Sequence, residues 1–370
     1  MAGRRGLDRG LVGMCIAMAG LAMTFTLSTP VVWLQVDRFI HVPNIATLVS
    51  QAFVLIYTAG QEIMLLYWLY PLEKARRHVR VRVIVLVSII PIMTTLFLIA
   101  GTEGRRVDDF VAHYAGIPAV SLYLSIYLIG FAAGQIDVLR LAIEYAPICS
   151  DKALRRGLRT VSAGAALGIV YVLARAADIA AGTFGWNPYA WELAAQLSAG
   201  IGAILVVIGL NLPGWAVAAT LWRRYLQLRP LRTLVRQSAA DGARSRPAAG
   251  FWWDISFLLH WRVTEIRDQI LLLNNWAPTP DTIGKAGTAT ADLPGSDPRG
   301  LARLEAVRLA TAVALRRAGK PPRPVAEADG DETPTGGDDV LTDAAWLADV
   351  ARELRSPSVK RAVTQLTVVA

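Results

Sequence analysis

Six long apolar runs fill the first 222 residues of this 370-residue chain. Each run has about the 20 residues that an α-helix needs to cross the hydrocarbon core of a bilayer. The runs cover roughly residues 11–30, 46–68, 81–100, 118–138, 161–184 and 193–214. Because backbone amides cannot remain without hydrogen-bond partners in lipid, each run is expected to be a helix. The sequence therefore predicts an all-α fold, a polytopic transmembrane helix bundle of about six spans, followed by a small helical cytoplasmic domain.

Basic residues in the connecting loops alternate from one side of the bundle to the other. The opposite side holds Arg38, Arg105 and Arg106. Twelve residues share the first side: Arg4, Arg5, Arg9, Lys74, Arg76, Arg77, Arg80, Arg82, Lys152, Arg155, Arg156 and Arg159. Lysine and arginine near the ends of spans stay in the cytoplasm. The asymmetry predicts a multi-pass protein of the cell membrane with its N- and C-termini in the cytoplasm.

The net charge of +9 fits a membrane surface better than a nucleic acid. Much of the positive excess lies in the predicted juxtamembrane loops, where it is attracted to anionic lipid headgroups. No basic stripe interleaved with aromatic residues follows the last span, so nucleic acid is not an expected partner. The two cysteines, Cys15 and Cys149, do not form a disulfide framework.

No catalytic motif emerges from the chain. The histidines His41, His78, His113 and His260 are scattered, without the spacing of metal ligands. A phosphate-binding glycine loop and a nucleophile elbow are also absent from the sequence. We therefore expect neither an enzyme nor a bound cofactor.

Charged side chains at membrane depth are costly, which makes them the natural candidates for function. Arg175 and Asp178 stand three residues apart in the fifth run, on one helix face, where they can pair. Asp137 and Arg140 repeat this spacing in the fourth run. The candidate intramembrane polar site comprises Glu62, Gln135, Asp137, Arg140, Arg175 and Asp178. These residues are typical either of a polar track or buried switch, or of interhelical contacts and snorkelling side chains.

The sequence divides into a bundle over 1–222, a basic helix and linker over 223–250, and a helical cytoplasmic domain over 251–370 with a disordered linker near 320–340. One amphipathic helix is predicted from an apolar stripe of steps of four and three, namely Ile255, Leu259, Val263, Ile266 and Ile270. Its other faces carry Arg262, Glu265, Arg267 and Asp268, the candidate surface for a cytoplasmic protein partner. Two further helices are predicted over about 298–318 and 342–355.

Four segments carry a resemblance to a known family. They are RFIHVPNIATL at 38–48, YLQLRPL at 225–231, RVTEIRDQILLL at 262–273 and AAWLADVARELRSP at 344–357. Together they resemble an uncharacterised actinobacterial family of multi-span membrane proteins with a helical tail domain of unknown function, often labelled as transporters. The resemblance covers most of the chain and implies a bundle with a helical tail. It supplies no catalytic residues, and many relatives carry one more span upstream of the basic start.

Three functional hypotheses follow from the sequence. A membrane sensor or regulatory protein, acting through its tail, is favoured by a long tail without a catalytic motif. A secondary transporter of a small solute or ion is favoured by the buried charges, although no internal repeat relates the halves of the bundle. The third hypothesis is a structural scaffold. A homo-oligomer is compatible with all three.

Overall fold

The computed structural model describes residues 2–102, 104, 110–114, 116–184, 186–187, 190–237, 254–279, 282–283, 297–323 and 339–369. Its contacts divide the chain into an N-terminal unit, Met1–Gly214, and a C-terminal unit, Trp215–Ala370. The sequence placed this boundary after residue 222. The division falls inside one continuous helix, so no loop marks it in the sequence.

The first eight helices are α1 (Ala2–Ser28), α2 (Pro30–Ile40), α3 (Ile45–Leu69), α4 (Leu72–Ala100), α5 (Phe110–Tyr114), α6 (Pro118–Tyr145), α7 (Lys152–Phe184) and α8 (Glu192–Gln227). Six of them, namely α1, α3, α4, α6, α7 and α8, are long and apolar enough to cross a membrane. The predicted all-α, six-span architecture is confirmed. The chain is a multi-span membrane protein.

Glycines let helix backbones approach one another at two places in the N-terminal unit. A Cβ atom added to Gly60 of α3 would lie 2.5 Å from the amide nitrogen of Ala17 in α1. A Cβ atom added to Gly157 of α7 would lie 2.6 Å from the carbonyl oxygen of Gly209 in α8. Distances this short exclude any side chain at these positions, as is common where membrane helices pack closely. The α1–α3 and α7–α8 pairs are therefore tightly packed.

A buried carboxylate organises the connection between α2 and α3. Asp37 is fully buried, and its oxygens accept hydrogen bonds from the amides of Asn44 at 2.6 Å and Ala46 at 3.1 Å. These amides belong to the first turn of α3, where backbone donors have no partner within the helix. The turn also needs left-handed backbone at His41 and Asn44, with φ of 62° and 64°. Asp37, which directly precedes the segment RFIHVPNIATL, thus caps a membrane helix.

The C-terminal unit is built from the end of α8 and a set of shorter helices. These are α9 (Arg229–Arg236), α10 (Ile255–Leu273), a 3₁₀ helix (Asn274–Trp276), α11 (Pro298–Arg317), α12 (Val340–Glu353) and α13 (Pro357–Val369). Asp254 caps α10 by accepting hydrogen bonds from the amides of Ser256 and Phe257. Asp297 caps α11, which has proline in its first turn, an arrangement typical of helix starts.

The apolar stripe of α10 lies in the core of this unit. Leu259, Val263, Ile266 and Ile270 are buried in one cluster with residues of α9, α11 and α12. Trp346 and Leu354 pack against this cluster. The predicted linkers, at 238–250 and over most of 320–340, lie outside the described residues.

Candidate functional site

A cavity of about 520 Å³ lies inside the N-terminal unit. Its size falls in the range of small-molecule sites. The aromatic side chains on its wall are Phe25, Trp33, Tyr57, Phe110, Tyr127, Phe131 and Tyr171. The amide side chains on its wall are Gln51, Gln135 and Gln196. The cavity therefore combines an apolar, aromatic body with a few fixed polar groups, which is the usual composition of a ligand site.

An ion pair between Arg175 of α7 and Glu192 of α8 forms part of the cavity wall. The Arg175 Nη1 and Nη2 atoms donate to the two Glu192 oxygens at 2.5 and 3.0 Å. Gln196, one turn along α8, donates its Nε2 to the same carboxylate at 2.9 Å. This two-point geometry holds both charged groups in fixed positions.

Asp178 lies behind this pair and does not line the cavity. Its side chain is fully buried, with Oδ2 3.1 Å from Arg175 Nη1. The spacing of the two residues predicted this contact. Its other oxygen, Oδ1, has no hydrogen-bond partner among the described residues. One guanidinium group therefore faces two carboxylates, one from its own helix and one from α8.

Glu192 was missed by the sequence analysis. It directly precedes the last apolar run, so it was grouped with the loop before that run. The signal that could have identified it is a carboxylate at the first residue of an otherwise apolar helix. A carboxylate there is stabilised by the helix dipole and is placed beside a neighbouring membrane helix. The arginine of α7 is its partner.

Gln135 also belongs to the cavity. It is buried on α6 and lines the wall, and its Nε2 donates to Thr58 Oγ1 of α3 at 3.4 Å. Gly168 of α7 lies against it, since a Cβ atom there would be 3.0 Å from Gln135 Oε1. Gln135 thus joins three helices at the cavity.

The remaining intramembrane candidates lie elsewhere in the bundle. Glu62 of α3 is buried and lies 2.7 Å from the Nε of Arg82 in α4. Arg82 also pairs with Asp137 of α6, so one arginine bridges two carboxylates on different helices. Within the described residues, Asp137 makes no ion pair with Arg140, which is exposed. Spacing along α6 suggested that pair, but the arginine of a neighbouring helix is the actual partner.

Of the four polar residues on α10, three make hydrogen bonds or ion pairs within the C-terminal unit, and the fourth makes none with the residues that the structure describes. Arg262 is buried and donates to the Tyr225 carbonyl oxygen at 2.9 Å. Glu265 accepts hydrogen bonds from the Nε atoms of Arg232 at 2.7 Å and Arg236 at 2.6 Å.

Arg267 pairs with Asp343 of α12, whereas Asp268 is exposed. Three of the residues proposed for a partner surface therefore hold the C-terminal unit together. Of the four, Asp268 is the one whose side chain the fold leaves at the surface.

Comparison with known protein families matches residues 215–356 to a family of unknown function (DUF6545). The matched region begins at the first residue of the C-terminal unit. It includes the second and third of the four segments that carry the resemblance and all but the last residue of the fourth. RFIHVPNIATL precedes it. No curated protein and no solved structure gives a significant match. The chain is a multi-span membrane protein whose C-terminal half contains a DUF6545 region.

Proposed function

We propose that this protein is a membrane sensor or regulatory protein. In this proposal, the cavity of the N-terminal unit binds a small ligand, and the C-terminal unit passes the binding event to a cytoplasmic partner. The chain carries out no catalytic step of its own.

One observation supports the proposal. Helix α8 contributes residues to the cavity of the N-terminal unit and also residues that pack in the C-terminal unit. Glu192, Gln196 and Val206 of this helix line the cavity. Its later residues Leu221 and Tyr225 pack against the core of the C-terminal unit. Ligand contacts that shift the populations of α8 conformations would therefore act on the residues that begin the DUF6545 region.

The proposed partners follow from the surface of the C-terminal unit. A second groove, lined by Arg229, Thr233, Gln237 and Arg355 among others, has no carboxylate among its described lining residues. It suits the anionic lipid headgroups that we propose as one partner. Asp268 and the exposed Leu271 of α10 are available to a protein partner. A homo-oligomer remains part of the proposal.

The proposed orientation places both termini in the cytoplasm, and cysteine labelling tests it. In a variant without Cys15 and Cys149, a membrane-impermeant thiol reagent should label Asn187→Cys in intact cells. It should label Glu73→Cys only after the membrane is opened. Both native side chains are exposed, so steric access does not explain a difference. Labelling of Glu73→Cys in intact cells would reverse the orientation.

Filling the cavity covalently tests the coupling. We expect that benzyl methanethiosulfonate attached to Ser198→Cys, in the same cysteine-free background, changes amide hydrogen exchange in α9 and α10. Ser198 lines the cavity. Coupling free energies between linked sites correspond to about fivefold or more, so the exchange rates should change by at least that factor. The measurement is hydrogen–deuterium exchange on the full chain in nanodiscs.

The matched control for this experiment is Leu197→Cys, one residue earlier on α8. Its native side chain is exposed and does not line the cavity. The same label at this position should leave α9 and α10 unchanged. Equal effects at both positions, or none at either, would contradict the sensor proposal.

A secondary transporter is the second candidate function. It is favoured by the Glu62–Arg82–Asp137 cluster, a second set of charges inside the bundle that is separate from the cavity. A transporter changes the packing of its membrane helices during its cycle. If the label at Ser198→Cys alters exchange in the helices of the N-terminal unit and leaves α9 and α10 unchanged, the transport function is supported instead.

A further inference from the structure

We propose that the cavity binds a small organic cation, an ammonium group attached to an apolar body. The ammonium group would lie beside the Glu192 carboxylate and the apolar body among the aromatic rings. This inference rests on the proposed function, because it identifies the chemical class of the ligand for the same cavity.

The first argument for a cationic ligand comes from the charged residues around the cavity. Arg175 and Glu192 are the charged residues among its described lining residues, and Asp178 lies directly behind Arg175. The group thus contains two acidic side chains and one basic side chain. Buried charges at membrane depth require compensation. A cation beside Glu192 would have a second acidic side chain nearby to offset the charge of Arg175.

The same geometry disfavours an anionic ligand. Glu192 already occupies two donor atoms of Arg175, at 2.5 and 3.0 Å, and Asp178 approaches Nη1 at 3.1 Å. An incoming anion would have to displace the Glu192 carboxylate from the guanidinium. It would also bring a negative charge close to two acidic side chains in a weakly screened site. A cation meets neither obstacle.

The second argument for a cationic ligand comes from the aromatic rings beside the charged group. Tyr127 and Phe131 stack with their ring centroids 6.2 Å apart, and Phe131 packs edge-on against Tyr171 at 5.8 Å. The Tyr171 ring already lies 5.9 Å from the guanidinium carbon of Arg175. Faces of aromatic rings attract cations, and groups of such rings recognise quaternary ammonium ions. The cavity therefore places an aromatic cluster next to a group with more acidic than basic side chains.

The test compares three probes that share one benzyl ring. Benzyltrimethylammonium is cationic, benzyl alcohol is neutral and phenylacetate is anionic. Binding to the full-length protein in detergent is measured by isothermal titration calorimetry and by the shift of the thermal unfolding midpoint, at constant ionic strength. We expect the cation to bind at least about tenfold more tightly than the alcohol, a difference of 1.4 kcal/mol. Phenylacetate should show no binding.

Two variants should move the cation affinity in opposite directions. Glu192→Gln removes a negative charge and should weaken cation binding by about tenfold or more. Arg175→Gln removes the positive charge and should strengthen cation binding. A purely structural role for the ion pair predicts weaker binding for both variants. An affinity that is equal in all three proteins, or a preference for phenylacetate, would overturn the proposal.

A third measurement applies if Arg175→Gln does not fold. Benzyl methanethiosulfonate attached to Ser198→Cys should block binding of benzyltrimethylammonium, and the same label on Leu197→Cys should not. Failure of the label to block binding would place the cation outside the cavity and overturn the proposal. The exchange experiment on α9 and α10 is independent of these probes. A positive result there, together with no cation binding, would retain the sensor function and reject this ligand class.

Discussion

Replacing Ile266 by aspartate is expected to abolish the cooperative unfolding of the C-terminal unit. Ile266 is fully buried in the core formed by α9, α10, α11 and α12. Removing its side chain costs about 2–5 kcal/mol, and burying a carboxylate without a partner adds several kcal/mol more. A domain of this size has a total stability of about 5–15 kcal/mol. Hydrogen exchange over α10 and α11 in the full chain should therefore lose most of its protection.

The control for this prediction is Leu271→Asp, on the same helix. Leu271 is 64% exposed, so the same type of substitution buries no charge there. It should change stability by no more than about 1 kcal/mol, as surface substitutions usually do. If Ile266→Asp instead improved solubility and left exchange unchanged, the stripe would be a docking surface and not part of a core.

Replacing Arg175 by leucine should have the largest effect in the N-terminal unit. It would leave Glu192 and Asp178 near each other without their shared partner. Removing one member of a buried ion pair costs about 3–5 kcal/mol in soluble proteins. We expect a large fall in the yield of folded protein, measured as the monodisperse fraction after detergent extraction.

Two variants calibrate that result. Arg76→Leu breaks an exposed pair with Glu73, 3.4 Å long, at the start of α4, and exposed pairs contribute about 0–1 kcal/mol. Asp178→Asn leaves the Arg175–Glu192 pair intact and should be milder than Arg175→Leu. If Arg175→Leu gave the same yield of folded protein as Arg76→Leu, the Arg175–Glu192 ion pair would not stabilise the fold measurably.

Hydropathy and periodicity were sufficient to predict the six spans and the helices α10, α11 and α12. The six spans follow from apolar runs whose length matches the bilayer, and the buried face of α10 follows from its steps of three and four. The start of α11 follows from an aspartate cap before a proline. These signals are local, since each depends on residues within one helix.

Contacts between helices could not be predicted in the same way. The partner of Asp137 proved to be Arg82, on a different helix. The partner of Arg175 in the cavity wall proved to be Glu192, beyond the following loop. A single sequence contains no record of which helices are neighbours, so only pairs within one helix were considered. The cavity itself is lined by residues of seven helices, namely α1, α2, α3, α5, α6, α7 and α8, and has no local signature.

Three helices were not predicted, namely α2, α5 and α13, and α2 was missed for a physical reason. Residues 30–40 form α2, which begins with proline in its first turn and was assigned to the end of a span and a loop. Its eleven residues are too few to cross a bilayer, so a search for spans passes over it.

The Asp37 contact between α2 and α3 implies an order of events during synthesis. Asp37 leaves the ribosome before Asn44 and Ala46, whose amides are its hydrogen-bond donors. Until those residues follow, the carboxylate needs water or another donor, because burying it alone is costly. The Asp37 carboxylate therefore cannot become buried while α2 is an independent segment. Its burial must wait until the first turn of α3 is in place.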